Sequence, residues 1–208
     1  MGGRLLVATP VIGDPNFDRT VVFVLDHTED GALGIVVNRP TDVPLSDSLP
    51  NWDPLVADPP VVFVGGPVEQ SAAIGLGRPG PGSAPAEGDD APWSPVATVA
   101  DTVGPLATVD LTAGHLAALG LEALRVYVGY AGWGPGQLDG ELDQEAWVVA
   151  DALPGDLWSR TPEGLWGDVL RRQRGETAWL ALYPRDPSGN CRPQPRGRRA
   201  RRDPTTRA

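Results

Sequence analysis

Residues 20–40 read TVVFVLDHTEDGALGIVVNRP. Two short β-branched runs, Thr20 to Asp26 and Leu33 to Asn38, flank HTEDG, a set of turn formers that ends at Gly31. The pattern predicts two antiparallel strands joined by a loop of about five residues. Unbroken apolarity in VVFVL asks for burial on both faces, which puts that strand inside a sheet rather than at its edge. Working outward, Arg4 to Ala8 and Val61 to Gly65 repeat the signature, and VVFV in the second is again a central strand. Further strands are expected at Val96 to Ala100, Leu106 to Asp110, Leu124 to Tyr130, Ala146 to Ala150 and Thr177 to Tyr183. Helices are few. Thr112 to Leu119 is one, and Gly136 to Asp143 is a second, short one entered through Pro135. A third has Thr161 as cap, Pro162 at its first position, and Leu165, Trp166, Val169 and Leu170 on one face, and it ends before Gly175. Between them, RPGPGSAPAEGDDAPW at Arg78 to Trp93 reads as a loop inside the domain. The fold class is therefore α/β in the α+β sense: one compact domain, a mixed β-sheet and a few short helices.

Charge divides the chain in two. Residues 185–208 carry 8 Arg against 2 Asp, a net +6, so residues 1–184, with 9 Arg against 25 acids, stand at −16. A body this acidic repels a phosphate backbone, so nucleic acid is not expected as its partner. The Arg and Pro-rich tail from Cys191 to Ala208 has too little apolar surface to order itself. It reads either as an arm for nucleic acid or an acidic partner, or as an unselected extension. VVFVL is far shorter than the roughly 18 residues a membrane helix needs, and MGGRLLVATP is too short an apolar start for a signal peptide. A cytoplasmic protein without a membrane partner is expected. Cys191 is the lone cysteine, which rules out an intramolecular disulfide and a cysteine metal cluster.

No motif selects a reaction or a cofactor, and none is expected. Gly65, Gly66, Pro67 and Val68 follow an apolar strand as a phosphate loop would, but the Gly-Lys-Ser/Thr sequel is missing and the chain has no lysine. A literal GxGxxG at Gly75, Gly77 and Gly80 runs into prolines instead of a helix. His27 and His115 are the two histidines, too few for a multi-histidine metal site. Asp14 and Arg19 could orient a ligand, or Asp14 could cap a turn while Arg19 pairs with an acid. Asn38, Arg39 and Pro40 end a strand, where Asn38 can hold a turn and Arg39 can serve as a fork for a carboxylate or phosphate.

GYAGWGPGQLDGEL, Gly129 to Leu142, reads as a tight glycine turn presenting Trp133 at a helix entrance, with Gln137 and Glu141 on one helix face. Either these residues form a recognition surface, or Trp133 is buried with its N–H on a carbonyl and Gln137 ties the turn down. Trp147, Trp158, Trp166 and Trp179 read as core. The candidate binding surface is Asn38, Arg39, Gly65, Gly66, Pro67, Trp133, Gln137 and Glu141, with no catalytic residue and no metal ligand assigned.

Four separated stretches carry a resemblance: GRLLVATPVIGDPNFDRTVVFVLDH, GALGIVVNRP, VFVGGPV and GYAGWGPGQLDGEL. In order and spacing the chain is similar to the bacterial AlgH/YqgE family, from residue 2 to about residue 190, where DPSGN resembles the family's usual end. The resemblance implies a single domain over residues 2–190, outside which the tail 191–208 lies. Members are commonly described as transcriptional regulators. Two readings of function stay open: a noncatalytic regulatory or protein-binding module, or a small-ligand or enzymatic domain in which Arg39, the Gly65 to Pro67 loop and Gln137 share one cleft.

Overall fold

Alternate residues of the first strands point to opposite sides of a ten-stranded sheet in the computed structural model, which describes residues 1–84, 91–96, 99, 103–112 and 120–184. On β1 (Arg4–Ala8) and β2 (Val21–Thr28), the side chains of Leu5, Val7, Val21 and Phe23 enter one apolar cluster. Leu6, Ala8, Val22 and Val24 enter another. All five residues of VVFVL are buried, as two covered faces require. Strand β2 pairs antiparallel with β1 and with β3 (Gly31–Val36), whose register brings Thr28 opposite Gly31. The connection is therefore a two-residue turn, Glu29 and Asp30, and not a five-residue loop. A register shift between Val24 and Asp26 lets both strands run on through HTEDG.

The long strands of the sheet are the ones whose glycines concealed them. Strand β6 (Val68–Pro79) includes Gly75 and Gly77, so the GxGxxG match lies largely in a strand. A Cβ on Gly77 would stand 2.8 Å from Val109 and 3.0 Å from Leu121, so packing excludes a larger residue. Strand β9 (Leu121–Trp133) continues through Gly129 to Trp133, a stretch that reads as a turn in the sequence. One edge of β9 pairs with β6; the other pairs in parallel with β5 (Val61–Val64) and then antiparallel with β3. Strand β5 also pairs with β4 (Pro40–Pro44), but only Phe63 of VVFV is fully buried. The order along the sheet is β10, β1, β2, β3, β9, β6, β8, β7, where β7 is Trp93–Pro95, β8 is Ala107–Val109 and β10 is Trp147–Asp151.

Helix α1 (Leu45–Ser48) is a single turn, α2 (Gln137–Asp143) follows β9, and α3 (Leu165–Arg171) packs on the cluster around Phe23 through Leu165, Trp166, Val169 and Leu170. One of the expected strands is corrected. Thr177 to Tyr183 is not a strand but part of a 3-10 helix, Gly175–Leu182, packed against the core through Leu180 and Ala181. Strand β7 ends before the run expected from Val96 to Ala100; the Val96 amide donates to the Leu106 carbonyl at 2.8 Å, and residues 97, 98 and 100 of that run fall outside the described residues. The expected helix after Thr112, with His115, and the tail from Cys191 fall outside the described residues. No helix among the described residues is long and apolar enough to cross a membrane.

Candidate functional site

Asp14 to Thr20, DPNFDRT, is the loop around which the sequence motifs gather. The Asp14 carboxylate accepts the Asn16 amide at 2.8 Å, and the Thr20 hydroxyl donates to the Phe17 carbonyl at 2.9 Å. Arg19 between them adopts a left-handed backbone, φ 51°, which a non-glycine residue takes only when its surroundings enforce it. Enforcement comes from Asn38. Its side-chain oxygen accepts the Val21 amide at 2.8 Å and its NH2 donates to the Arg19 carbonyl at 2.9 Å. Asn38 is buried and joins the end of β3 to the start of β2 as a backbone pair would. Arg39 reaches the same loop, its Nη2 donating to the Pro15 carbonyl at 3.2 Å and the Asp18 carbonyl at 3.1 Å.

On the other flank of the loop, Phe17 packs edge-on against Trp147, centroids 5.4 Å apart, and stacks near Trp133 at 6.3 Å. Trp133 is buried, and its indole N–H meets the Glu141 carboxylate at 2.9 Å instead of a backbone carbonyl. The same carboxylate oxygen accepts the Trp147 indole at 2.8 Å, and the other accepts the Gln137 side-chain amide at 3.0 Å. Gln137 in turn accepts the Gly134 amide at 3.1 Å, which closes the turn into α2. Glu141 thus gathers two aromatic donors and one amide around a single charge, an arrangement of charge-assisted bonds.

Gly65 and Gly66 lie where β9 exchanges β5 for β3 as its neighbour. The Gly65 amide donates to Val128 and its carbonyl accepts Val36, both at 2.8 Å. A Cβ on Gly65 would stand 2.3 Å from the Gly129 oxygen, and one on Gly66 2.1 Å from the Tyr130 carbonyl. Gly129 has φ 70°, and its own Cβ would meet the Gly66 oxygen at 2.5 Å. GGPV and GYAGW are therefore two sides of one backbone crossing, which leaves Pro67 exposed beyond it.

The candidate residues do not share one cleft. Asn38 and Arg39 line a cleft of about 440 Å³ with Arg19, Val64, Glu163 and Trp166. Trp133, Gln137 and Glu141 line a smaller one of about 190 Å³, closed by Phe17. Arg39 and Gln137 thus face different spaces separated by the Asp14 to Thr20 loop, so the single-cleft arrangement is not formed. Of the two sequence readings of Arg19, pairing with an acid is not formed among the described residues; it donates to the Tyr183 carbonyl and lies over the Trp166 ring, 4.3 Å from its centroid. A third groove, about 530 Å³, includes Val11, Leu142, Trp147 and Leu180 with Glu145 and Glu176 beside them. Trp179 is 72% exposed and does not belong to the core, a correction to its sequence reading.

Deeper in the sheet, Arg125 on β9 is buried and stacks over Phe63 at 4.5 Å. Its guanidinium donates to the carbonyls of Asp58, Leu157 and Ser159, and burial lowers its pKa. Burial likewise pushes the neighbouring Tyr127 hydroxyl up to about 12, against the opposing pull of Arg125. The sequence gives no signal for either role, because both residues sit inside an apolar strand pattern.

Fold and clefts together define a single-domain α/β protein whose motif residues brace surface clefts instead of converging on one centre. A family model described as AlgH-like (DUF179) matches residues 5–178, and the chain belongs to that family. A UPF0301 protein of Streptomyces avermitilis is 52% identical over 188 residues, covering 90% of this chain and 94% of the relative. One from Thermobifida fusca is 45% identical over 189 residues, covering 90% and 94%. A crystal structure of a Corynebacterium diphtheriae protein matches with TM-score 0.75 at 30% identity, over 88% of this chain and 92% of that one. The solution structure of the AlgH protein from Pseudomonas aeruginosa matches with TM-score 0.60 at 29% identity, over 88% and 93%.

Proposed function

We propose that the chain is a noncatalytic regulatory module of the cytoplasm that acts by docking a protein partner. The observation that carries this reading is the exposed apolar end of the domain: Trp179 is 72%, Leu182 79% and Tyr183 44% accessible. Tyr183 lines the groove that includes Val11, Leu142 and Trp147, and Trp179 and Leu182 belong to the 3-10 segment just before it. Large exposed aromatic and aliphatic side chains within one short segment favour association with another protein. Glu145 and Glu176 beside the groove, on a body of net charge −16, favour a partner whose apolar anchor is flanked by Lys or Arg. Any effect on transcription then passes through that partner, because an acidic body is a poor DNA ligand.

Affinity capture from the host's own lysate tests this, with the native chain and Trp179→Asp compared by quantitative mass spectrometry. A partner retained by the native chain and lost from the variant is the expected result. Identical retained sets would remove the reading. A second reading, a small-ligand domain, is favoured by one observation, the meeting of Arg19 and Arg39 in a single cleft.

A further inference from the structure

Five arginines of residues 1–184, Arg4, Arg78, Arg160, Arg171 and Arg172, are ion-paired with a carboxylate. Arg19 and Arg39 have no carboxylate within 4.0 Å among the described residues, although the body around them is strongly acidic. Both line the cleft of about 440 Å³. Both are also held still. Arg19 is stacked on Trp166 and its Nη2 is committed to the Tyr183 carbonyl, while Arg39 commits its Nη2 to the Pro15 and Asp18 carbonyls. Their Nε and Nη1 donors have no acceptor among the described residues. Two restrained guanidinium groups with further donors in one cleft are partly preorganised for an oxyanion, so less ordering entropy is lost on binding. The left-handed backbone of Arg19, locked by Asn38, is the kind of local strain that persists where a side chain must be aimed.

We propose that this cleft binds a monocarboxylate with an apolar neighbour, such as a free N-acyl amino acid or the C-terminal residue of a polypeptide. Asp18 and Glu163 also line it, so the four charged groups sum to zero and a dianion gains less than a monoanion. Pro40, Val64 and Trp166 supply apolar wall beside the fork, and the volume lies in the range of small-ligand sites. This site touches the partner surface through the Arg19 to Tyr183 bond but does not rest on partner docking, and its test uses other variants.

The experiment is a titration of the full chain followed through backbone amide and arginine Nε–Hε NMR signals. Its probes are N-acetyl-leucine, N-acetyl-leucinamide, inorganic phosphate, and an acetylated tetrapeptide ending in a leucine carboxylate. The acid is expected to shift the Arg19 and Arg39 signals saturably. The amide binds at least about tenfold more weakly, and phosphate more weakly than the acid. Tetrapeptide binding tighter than N-acetyl-leucine assigns the source to a polypeptide terminus, and the reverse assigns it to a free small molecule. Arg39→Met is expected to lose about tenfold in affinity for the acid. Glu163→Gln, at an exposed position, is expected to gain about twofold, and it keeps the test open if loss of Arg39 loosens the loop. Equal binding of acid and amide, tighter binding of phosphate, or no saturable shift at Arg19 and Arg39 overturns the proposal.

Discussion

Single side chains in this protein do the work that backbone pairing does elsewhere. Among the described residues, Glu141 alone accepts the indole N–H groups of both Trp133 and Trp147. Glu141→Ala strands both donors in a largely buried setting and is expected to cost about 2–3 kcal/mol in urea unfolding followed by Trp fluorescence. Gln137→Ala, which removes an exposed bond to the same carboxylate, is expected to cost about 0.5 kcal/mol. Asn38→Ala removes a donor and an acceptor that serve buried backbone, for an expected loss of about 2 kcal/mol. Tyr127 titrates differently. Its hydroxyl is fully buried beside the Arg125 guanidinium, and burial holds its folded pKa at about 12, above the ordinary 10.0. The unfolded chain therefore loses this proton first as pH rises, so the associated stability is whole below pH 10 and drains away between about pH 10 and 12. Tyr127→Phe is expected to match or exceed the native stability at pH 7 and to lose less of it on alkaline titration, as measured by urea midpoints across that range.

Elements meet here at a crossing that tolerates no side chain. Gly65, Gly66 and Gly129 put three backbone segments within van der Waals reach as β9 exchanges one neighbour for another. Gly66→Ala would force a methyl to 2.1 Å from the Tyr130 carbonyl, and the segments must separate to admit it. The expected cost is about 3–5 kcal/mol, visible as a large fall in Tm or a loss of soluble protein. Gly134→Ala has open space around it and is expected to leave Tm nearly unchanged. The same crossing explains the misreading of Gly129 to Trp133 as a turn. Glycine there answers to strands distant in sequence, and local pattern cannot tell a glycine that bends from one that admits a neighbour. Thr177 to Tyr183 is a related case: its short, aromatic-containing apolar run suits a strand, but the segment packs on α3 and the core as a 3-10 helix instead.

Over the whole molecule, charge and exposed aromatic surface set what the domain can meet. A body at −16 is expected to show no measurable affinity for duplex DNA near physiological salt. Fluorescence anisotropy with the full chain and with a chain lacking residues 191–208 checks this, and DNA binding that survives the deletion would contradict it. The sequence by itself determined the class of fold, because buried strands such as VVFVL must be continuously apolar and short helices must show their spacing and their proline entries. It also determined the family, since four motifs in fixed order are legible without coordinates. It exposed which residues mattered, but not what for: Asn38, Arg39, Gly65, Gly66, Trp133, Gln137 and Glu141 were all visible as motif members. Tertiary structure alone decided that these residues divide between two clefts and one backbone crossing, that Arg19 and Arg39 come within one cleft, and that Trp179 faces solvent. The reason is physical. Periodicity records whether a side chain is buried, whereas partnership depends on contacts between separate segments, from Asn38 with Val21 to Arg19 with Tyr183, which leave no mark in local composition.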